Sequence, residues 1–179
     1  MKKISLLLVA GALLAGMSLG TALAEEKAAA AAAPAAAAAP AAPAKGGQIG
    51  NMLPDFKVAD PAGAAVESKK LLGKSKMAFV MIAPNCSLCM SEVEEFKAKA
   101  ADKADKIVIV VAAPARMAER FLKNYDGPFK VYVDGDYSAM TAMDFRVTPS
   151  TVVVDEKGVV VDRFMQFQGG QAEALAKKL

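Results

Sequence analysis

From residue 46 onward, apolar runs and amphipathic stretches alternate along the chain. Met77 to Ala83 and Ile107 to Ala112 are continuous apolar runs. Runs of that length without polar interruption predict strands buried on both faces. Asp55 to Val58 and Lys130 to Val133 are shorter and read as brief strands, with Pro61-Ala62-Gly63 as a turn after the first. Helical spacing predicts helices over about Cys86 to Ala101, over Arg116 to Asn124 and, more briefly, over Tyr137 to Phe145. Ser150 to Val154 and Val159 to Phe164 predict two strands joined by the turn Asp155-Glu156-Lys157-Gly158. Gln171 to Leu179 closes the chain as a helix, with Ala172, Leu175, Ala176 and Leu179 on one face. Strands alternating with helices, followed by a hairpin and a final helix, predict a layered α/β domain. No internal repeat interrupts this order.

The first 45 residues follow another pattern. Lys2 and Lys3 precede an uncharged run, Ile4 to Ala24, that ends in the small-x-small tripeptide Ala22-Leu23-Ala24. This predicts a secretory signal over residues 1–24, cleaved after Ala24. An uncleaved anchor is the other reading, because the run is long enough to span a bilayer. Met17 stands where a lipoprotein signal would need its cysteine. Residues 25–45 are rich in Ala and Pro and hold no large apolar side chain, so they predict a linker without a core of its own. The folded domain is expected over residues 46–179, long enough for one core.

Composition changes the picture in two ways. Hydrophobic residues make up 54% of the 179, but Ala supplies 38 of them, 19 before residue 46. The figure therefore does not argue for a membrane protein. The net charge of +3 also loses the two signal lysines on cleavage, and no basic stripe with interleaved aromatics appears. Nucleic acid is not expected as a partner. More decisive is the absence of His. It excludes Ser-His-Asp triads, Cys-His pairs and His-ligated zinc or haem. No cofactor is expected.

The chemistry that remains centres on the only two cysteines, in Cys86-Ser87-Leu88-Cys89. They follow a predicted buried strand and open a predicted helix. Residues i and i+3 share a helix face, so the two sulfurs can meet. The helix N-terminus favours a thiolate at Cys86, the form that attacks disulfides. A purely structural staple would close too short a loop to constrain the unfolded chain much. A zinc site would need ligands beyond two cysteines.

Along the same helix, at about 100° per residue, Val93, Phe96 and Ala100 fall within about 40° of Cys89. Glu92 falls near −60°, at the margin of that apolar face, whereas Glu94 and Glu95 point outward near 140° and −120°. Glu92 is thus the candidate half-buried acid, with a proton affinity suited to exchange with Cys89. A solvated helix glutamate is the plainer alternative.

These motifs carry a resemblance. Gly50-x-x-Leu53-Pro54-Asp55-Phe56, Gly73-Lys74 before the strand, Cys86-x-x-Cys89-x-x-Glu92, and Val147-Thr148-Pro149-Ser150-Thr151 with Asp155-x-x-Gly158 are similar to the TlpA/ResA-like branch of the thioredoxin superfamily. The likeness runs from Gly50 to about Gly169. It implies a thioredoxin-like fold, a central mixed sheet flanked by helices with an N-terminal extension. It further implies an exported thiol–disulfide oxidoreductase, usually a reductase, of periplasmic or other extracytoplasmic location.

By the same resemblance Cys86 is the attacking thiolate, Cys89 the resolving thiol and Glu92 the proton-transfer acid. Pro149, otherwise an ordinary trans residue opening a strand, becomes a cis-proline facing the disulfide. Thr148 before it pairs with an extended substrate segment. Implied partners are protein thiols and disulfides, including apocytochrome c or metal-site cysteines, with a membrane thiol donor. Val80 stands where ordinary thioredoxins keep a buried Asp, as expected where the helix Glu serves instead. The chain departs from the pattern at Asn85 (usually Trp), at Val147 (usually Gly) and at Val93-Glu94, where a proline is common after the Glu. An oxidising direction, a peroxiredoxin-like thiol peroxidase and a non-enzymatic copper(I) module with Met90 beside Cys89 are the alternatives. The peroxidase pattern is incomplete, since Ala83 stands three residues before Cys86.

Overall fold

A computed structural model describes residues 46–179. The expected signal over 1–24 and linker over 25–45 lie outside the described residues. The architecture is a seven-stranded mixed sheet with helices on both faces. The strands are β1 Lys57–Ala59, β2 Ala65–Glu67, β3 Met77–Ile82, β4 Ile107–Ala112, β5 Lys130–Asp134, β6 Ser150–Val154 and β7 Val160–Met165, in the order β2-β1-β5-β4-β3-β6-β7. The helices are α1 Ser68–Leu71, α2 Ser87–Lys99, α3 Ala115–Asn124, α4 Ser138–Ala142 and α5 Gln171–Ala176.

β3, β4 and β5 run parallel, and β6 returns antiparallel on β3. Every residue of β3 and β4 is buried, which is why both runs carry no polar interruption. The side chains alternate between two cores. Ala78, Val80, Ile82, Ile107, Ile109 and Val111 meet residues of α2, α3 and α5, including Cys89, Val93, Phe96, Ala118 and Leu175. Phe79, Met81, Val108 and Val110 meet the opposite layer, with Leu53, Phe56, Leu71, Ala139 and Met143. Phe96 and Phe129 meet edge to face in the first core, Phe56 and Phe79 in the second. Among the described residues, no helix is long and apolar enough to cross a membrane.

The predicted elements survive with shifted ends, and three were not foreseen. The strand expected at Asp55–Val58 is displaced to Lys57–Ala59, because Asp55 and Phe56 belong to the approach to it. Val159 is not in β7. It bridges Met52 and donates its N–H to Asp155, whose side chain and backbone organise the tight turn that Gly158 completes at φ +81°. The final helix ends at Ala176, with Ala172 and Leu175 as its buried residues. β2 and α1 were missed because three- and four-residue elements leave no periodicity to detect. They are fixed by pairing with β1 and by Leu71 in the second core. The 3-10 stretch Ala101–Lys106 has no buried residue and left no apolar signal.

One side chain ties remote parts of the second layer together. The Arg163 guanidinium donates to the carbonyls of Gly47 at 2.7 Å, Met143 at 2.9 Å and Asp144 at 2.8 Å. It also lies 4.5 Å from the centroid of the Phe145 ring. Gly47 (φ +74°) approaches so closely that a Cβ there would stand 2.6 Å from the Met143 carbonyl oxygen.

Candidate active site

β3 ends at Ile82, and Ala83-Pro84-Asn85 carries the chain to the start of α2. Cys86 is its N-cap, extended at φ −103° and ψ 110°. Its Sγ accepts from the backbone N–H of Cys89 at 3.1 Å. A sulfur in that position takes the role a Ser or Asp oxygen usually fills, so the helix end favours negative charge on it. Cys86 and Cys89 are joined as a disulfide.

The two sulfurs are not equivalent. Cys86 is partly exposed and Cys89 is fully buried in the first core. The Ala83 N–H donates toward the Cys89 Sγ at 3.5 Å. An incoming group can therefore reach Cys86, while Cys89 can reach only its partner. Met90 packs against the same core, and Met81 is buried in the opposite one, so both act as core side chains here.

The loop before β6 faces the disulfide. The Thr148 carbonyl oxygen lies 3.7 Å from the Cys86 Sγ. The Thr148–Pro149 peptide bond is cis. Ser150 Oγ donates to the Val147 carbonyl at 2.8 Å, and the Gln166 N–H donates to the Pro149 carbonyl at 2.9 Å. These bonds fix the loop on both sides of Thr148. Sixty-two residues separate Cys86 from Thr148. β6 brings them together by pairing with β3 directly beneath the cysteine loop.

Glu92 sits one turn after Cys89. It is 2% exposed, more buried than its marginal place on the helical wheel implied. Its Oε2 is buried without a hydrogen-bond partner. Burial, and secondarily the charge of Glu95, push its pKa from an ordinary 4.5 up to about 7. Glu94 is exposed, as expected. Glu95 corrects the wheel: it does not project freely, because α5 covers it and its Oε1 accepts the Ala172 N–H at 3.2 Å. Helical spacing counts faces on an isolated cylinder, and cannot know that α5 packs on α2. Val80, beneath in β3, is fully buried and apolar, so Glu92 has no carboxylate neighbour on that strand.

Beside the disulfide a groove opens between the end of β4, the start of α3 and the segment from α4 to Thr148. Its residues come from four separate stretches of chain, and among them Val147 and Thr148 belong to a motif marked in the sequence.

The Redoxin family model matches residues 48–177 of this chain. The thiol-disulfide oxidoreductase ResA of Bacillus cereus is 28% identical over 122 residues, 66% of this chain and 70% of the relative. The ResA of Halalkalibacterium halodurans is 24% identical over 134 residues, 73% and 74% of the two chains. Among solved structures, the exposed lipoprotein thioredoxin Etrx1 of Streptococcus pneumoniae superposes with a TM-score of 0.57 at 20% identity, over 70% of this chain and 99% of the other. MTB dsbF superposes with a TM-score of 0.58 at 20% identity, over 69% and 91%. Likeness at this identity shows a common thioredoxin-like fold.

Proposed function

This chain belongs to the Redoxin family, in the TlpA/ResA-like branch of the thioredoxin superfamily, and from that premise we propose that it is an exported thiol–disulfide oxidoreductase that reduces protein disulfides. The observation that carries the reading is the unequal pair: a reachable Cys86 at a helix N-terminus, bonded to a buried Cys89, with Thr148 alongside.

In the reduced enzyme the Cys86 thiolate attacks one sulfur of a substrate disulfide. A Cys86–substrate bond forms, the substrate bond breaks, and the departing thiolate takes a proton. The Thr148 backbone pairs with the extended substrate segment and aligns its sulfur with Cys86. Glu92 as carboxylate then accepts the Cys89 proton, and the Cys89 sulfur attacks Cys86. The second substrate thiolate leaves and is protonated. The substrate has gained two electrons and two protons, and the enzyme has become the disulfide present in this structure. A proton affinity near neutrality lets Glu92 both take that proton and return it when a dithiol donor resets the enzyme.

The proposed setting is extracytoplasmic. Residues 1–24 would direct export, residues 25–45 would link the signal region to the domain, and residues 46–179 would form the domain. Substrates would be cysteines of apocytochrome c or of metal sites, with a membrane dithiol protein as donor. The test is thiol trapping across redox buffers, with Cys89→Ser beside the wild type, in an extract of exported proteins. A two-electron transition in the wild type and covalent partners on the variant are expected. A chain that shows no transition, or a variant that captures nothing, overturns the reading.

A further inference from the structure

Among the described residues, three buried side-chain oxygens lack a hydrogen-bond partner: Glu92 Oε2, Thr151 Oγ1 and Gln171 Oε1. They come from α2, β6 and the first residue of α5. Glu92 and Thr151 are each 2% exposed. Orphaned groups at that depth are costly, and native proteins satisfy them with other protein groups or with ordered water.

The fold gathers the three at the cysteine end of the first core. Thr151 is paired directly with Val80 across β6 and β3, so the two share one face of the sheet. Val80 lies in the first core with Cys89, and Thr151 therefore faces that core too. On the helical wheel Glu92 falls on the same side of Cys89 as Glu95. Glu95 touches α5, where its Oε1 accepts the Ala172 N–H at 3.2 Å. Glu92 thus faces the wedge between β6 and the start of α5. Gln171 is fixed at the mouth of that wedge. Its Nε2 donates to the Gln166 carbonyl at 2.9 Å, and the Gln166 N–H donates to the Pro149 carbonyl at 2.9 Å. Phe164, opposite Thr151 on β7, packs against the same core, with the Asp162–Lys178 ion pair beside it. Leu175 is the buried residue of the next turn of α5. Glu95 is therefore the charged group that stands closest to Glu92 in this corner.

The three oxygens are complementary to water. A carboxylate and an amide carbonyl can only accept, whereas a hydroxyl turns to donate or accept. One water can donate to Glu92 and Gln171 while accepting from Thr151. When the carboxyl is protonated, the same water accepts from it and donates to Thr151 and Gln171.

We propose that Glu92, Thr151 and Gln171 hold a buried water that solvates the Glu92 carboxylate and links it to bulk solvent at the start of α5, with Thr151 and Gln171 as positioning residues. This rests on the oxidoreductase reading, in which Glu92 takes the Cys89 proton. That proton passes from Glu92 to the water as the water releases another beside Gln171. One proton leaves, and no electron moves. Gln171 is half-buried and follows the exposed Gly170, so the outlet lies there.

The test uses the full chain, reduced, and the chromogenic disulfide 5,5′-dithiobis(2-nitrobenzoate). Attack by Cys86 releases one coloured thiolate, and resolution by Cys89 releases the second. Stopped-flow mixing across pH separates the two phases. Thr151→Val keeps the shape and removes the hydroxyl, so the carboxylate loses its solvation and ionises only at higher pH. Its second phase should be about tenfold slower at neutral pH, equivalent to a pH profile displaced upward by about one unit. The rate should return to the wild-type value at alkaline pH, with the first phase unchanged throughout. Gln171→Leu should displace the profile in the same direction, and Thr151→Ser should retain the wild-type profile. A crystal structure at atomic resolution should show an ordered water bonded to all three oxygens. A Thr151→Val profile identical to wild type, equal defects in Thr151→Val and Thr151→Ser, or no water at the three oxygens would overturn the site. A wild type that releases no second thiolate would instead overturn the oxidoreductase reading beneath it.

Discussion

Cys89 and Glu92 lie one helical turn apart on the buried side of α2, with 0% and 2% of their surfaces exposed. A buried thiol and a buried carboxyl of raised proton affinity can pass a proton that water reaches poorly. The relationship predicts a pH signature. Glu92→Gln should slow resolution of the Cys86 mixed disulfide by about a hundredfold, within the usual range for a lost general base. It should also remove the step near pH 7 that a carboxyl of that affinity is expected to impose on the wild-type rate profile. Stopped-flow measurement between pH 5 and 9 decides it, and an unchanged profile would remove Glu92 from the mechanism.

The same carboxyl has a thermodynamic consequence. Its pKa is about 7 when folded, against 4.5 ordinarily, so the folded state binds the extra proton between those values. Stability from this group is complete below about pH 4.5 and is lost as pH rises through 7, about 3 kcal/mol in all. Denaturant titrations of the oxidised protein at pH 5 and pH 8 should show that fall. Glu92→Gln should flatten the slope and leave the variant more stable than wild type at pH 8.

The unequal exposure of the cysteines predicts unequal variants. Cys89→Ser should accumulate mixed disulfides with substrate, because Cys86 can still attack and nothing resolves the product. Cys86→Ser should accumulate none, because Cys89 is buried. Mass spectrometry after alkylation distinguishes the two. Equal trapping by both would contradict the assignment of the attacking thiol.

Arg163 predicts a stability defect away from the cysteines. Arg163→Met keeps the aliphatic stem but leaves the carbonyls of Gly47, Met143 and Asp144 without their shared donor. The expected loss is about 3 kcal/mol, since several charge-assisted bonds vanish together. Gly47→Ala should be destabilising for a different reason, a Cβ against the Met143 carbonyl at positive φ. Both appear as lowered denaturant midpoints. A midpoint within error of wild type for Arg163→Met would show that water replaces the guanidinium freely.

Much of the site was readable because it is local. The strand before the cysteines, the helix after them and the three-residue spacing to Glu92 lie within one continuous stretch, where periodicity decides orientation. The uninterrupted apolar runs of β3 and β4 likewise announced strands covered on both faces. Thr148 and Pro149 were found only through a family likeness, since nothing local relates them to Cys86. Glu95 was misjudged because a helix seen alone has a solvent side wherever its apolar face ends. Apart from Val147 and Thr148, the groove left no signal, being lined by residues of several segments that share only their final position.

By itself, then, the sequence determined the chemistry: with no His, two cysteines three apart and one carboxyl at the edge of an apolar stripe, few reactions remained. It also determined the alternation of strands and helices, because burial on one or two faces leaves its period in the residues. The tertiary structure alone decided which sulfur is reachable, how deeply Glu92 is desolvated, and which remote residues stand beside the cysteine pair. Those properties depend on what packs over a residue from elsewhere in the chain. Dielectric environment and exposure belong to the assembled layers rather than to any single segment.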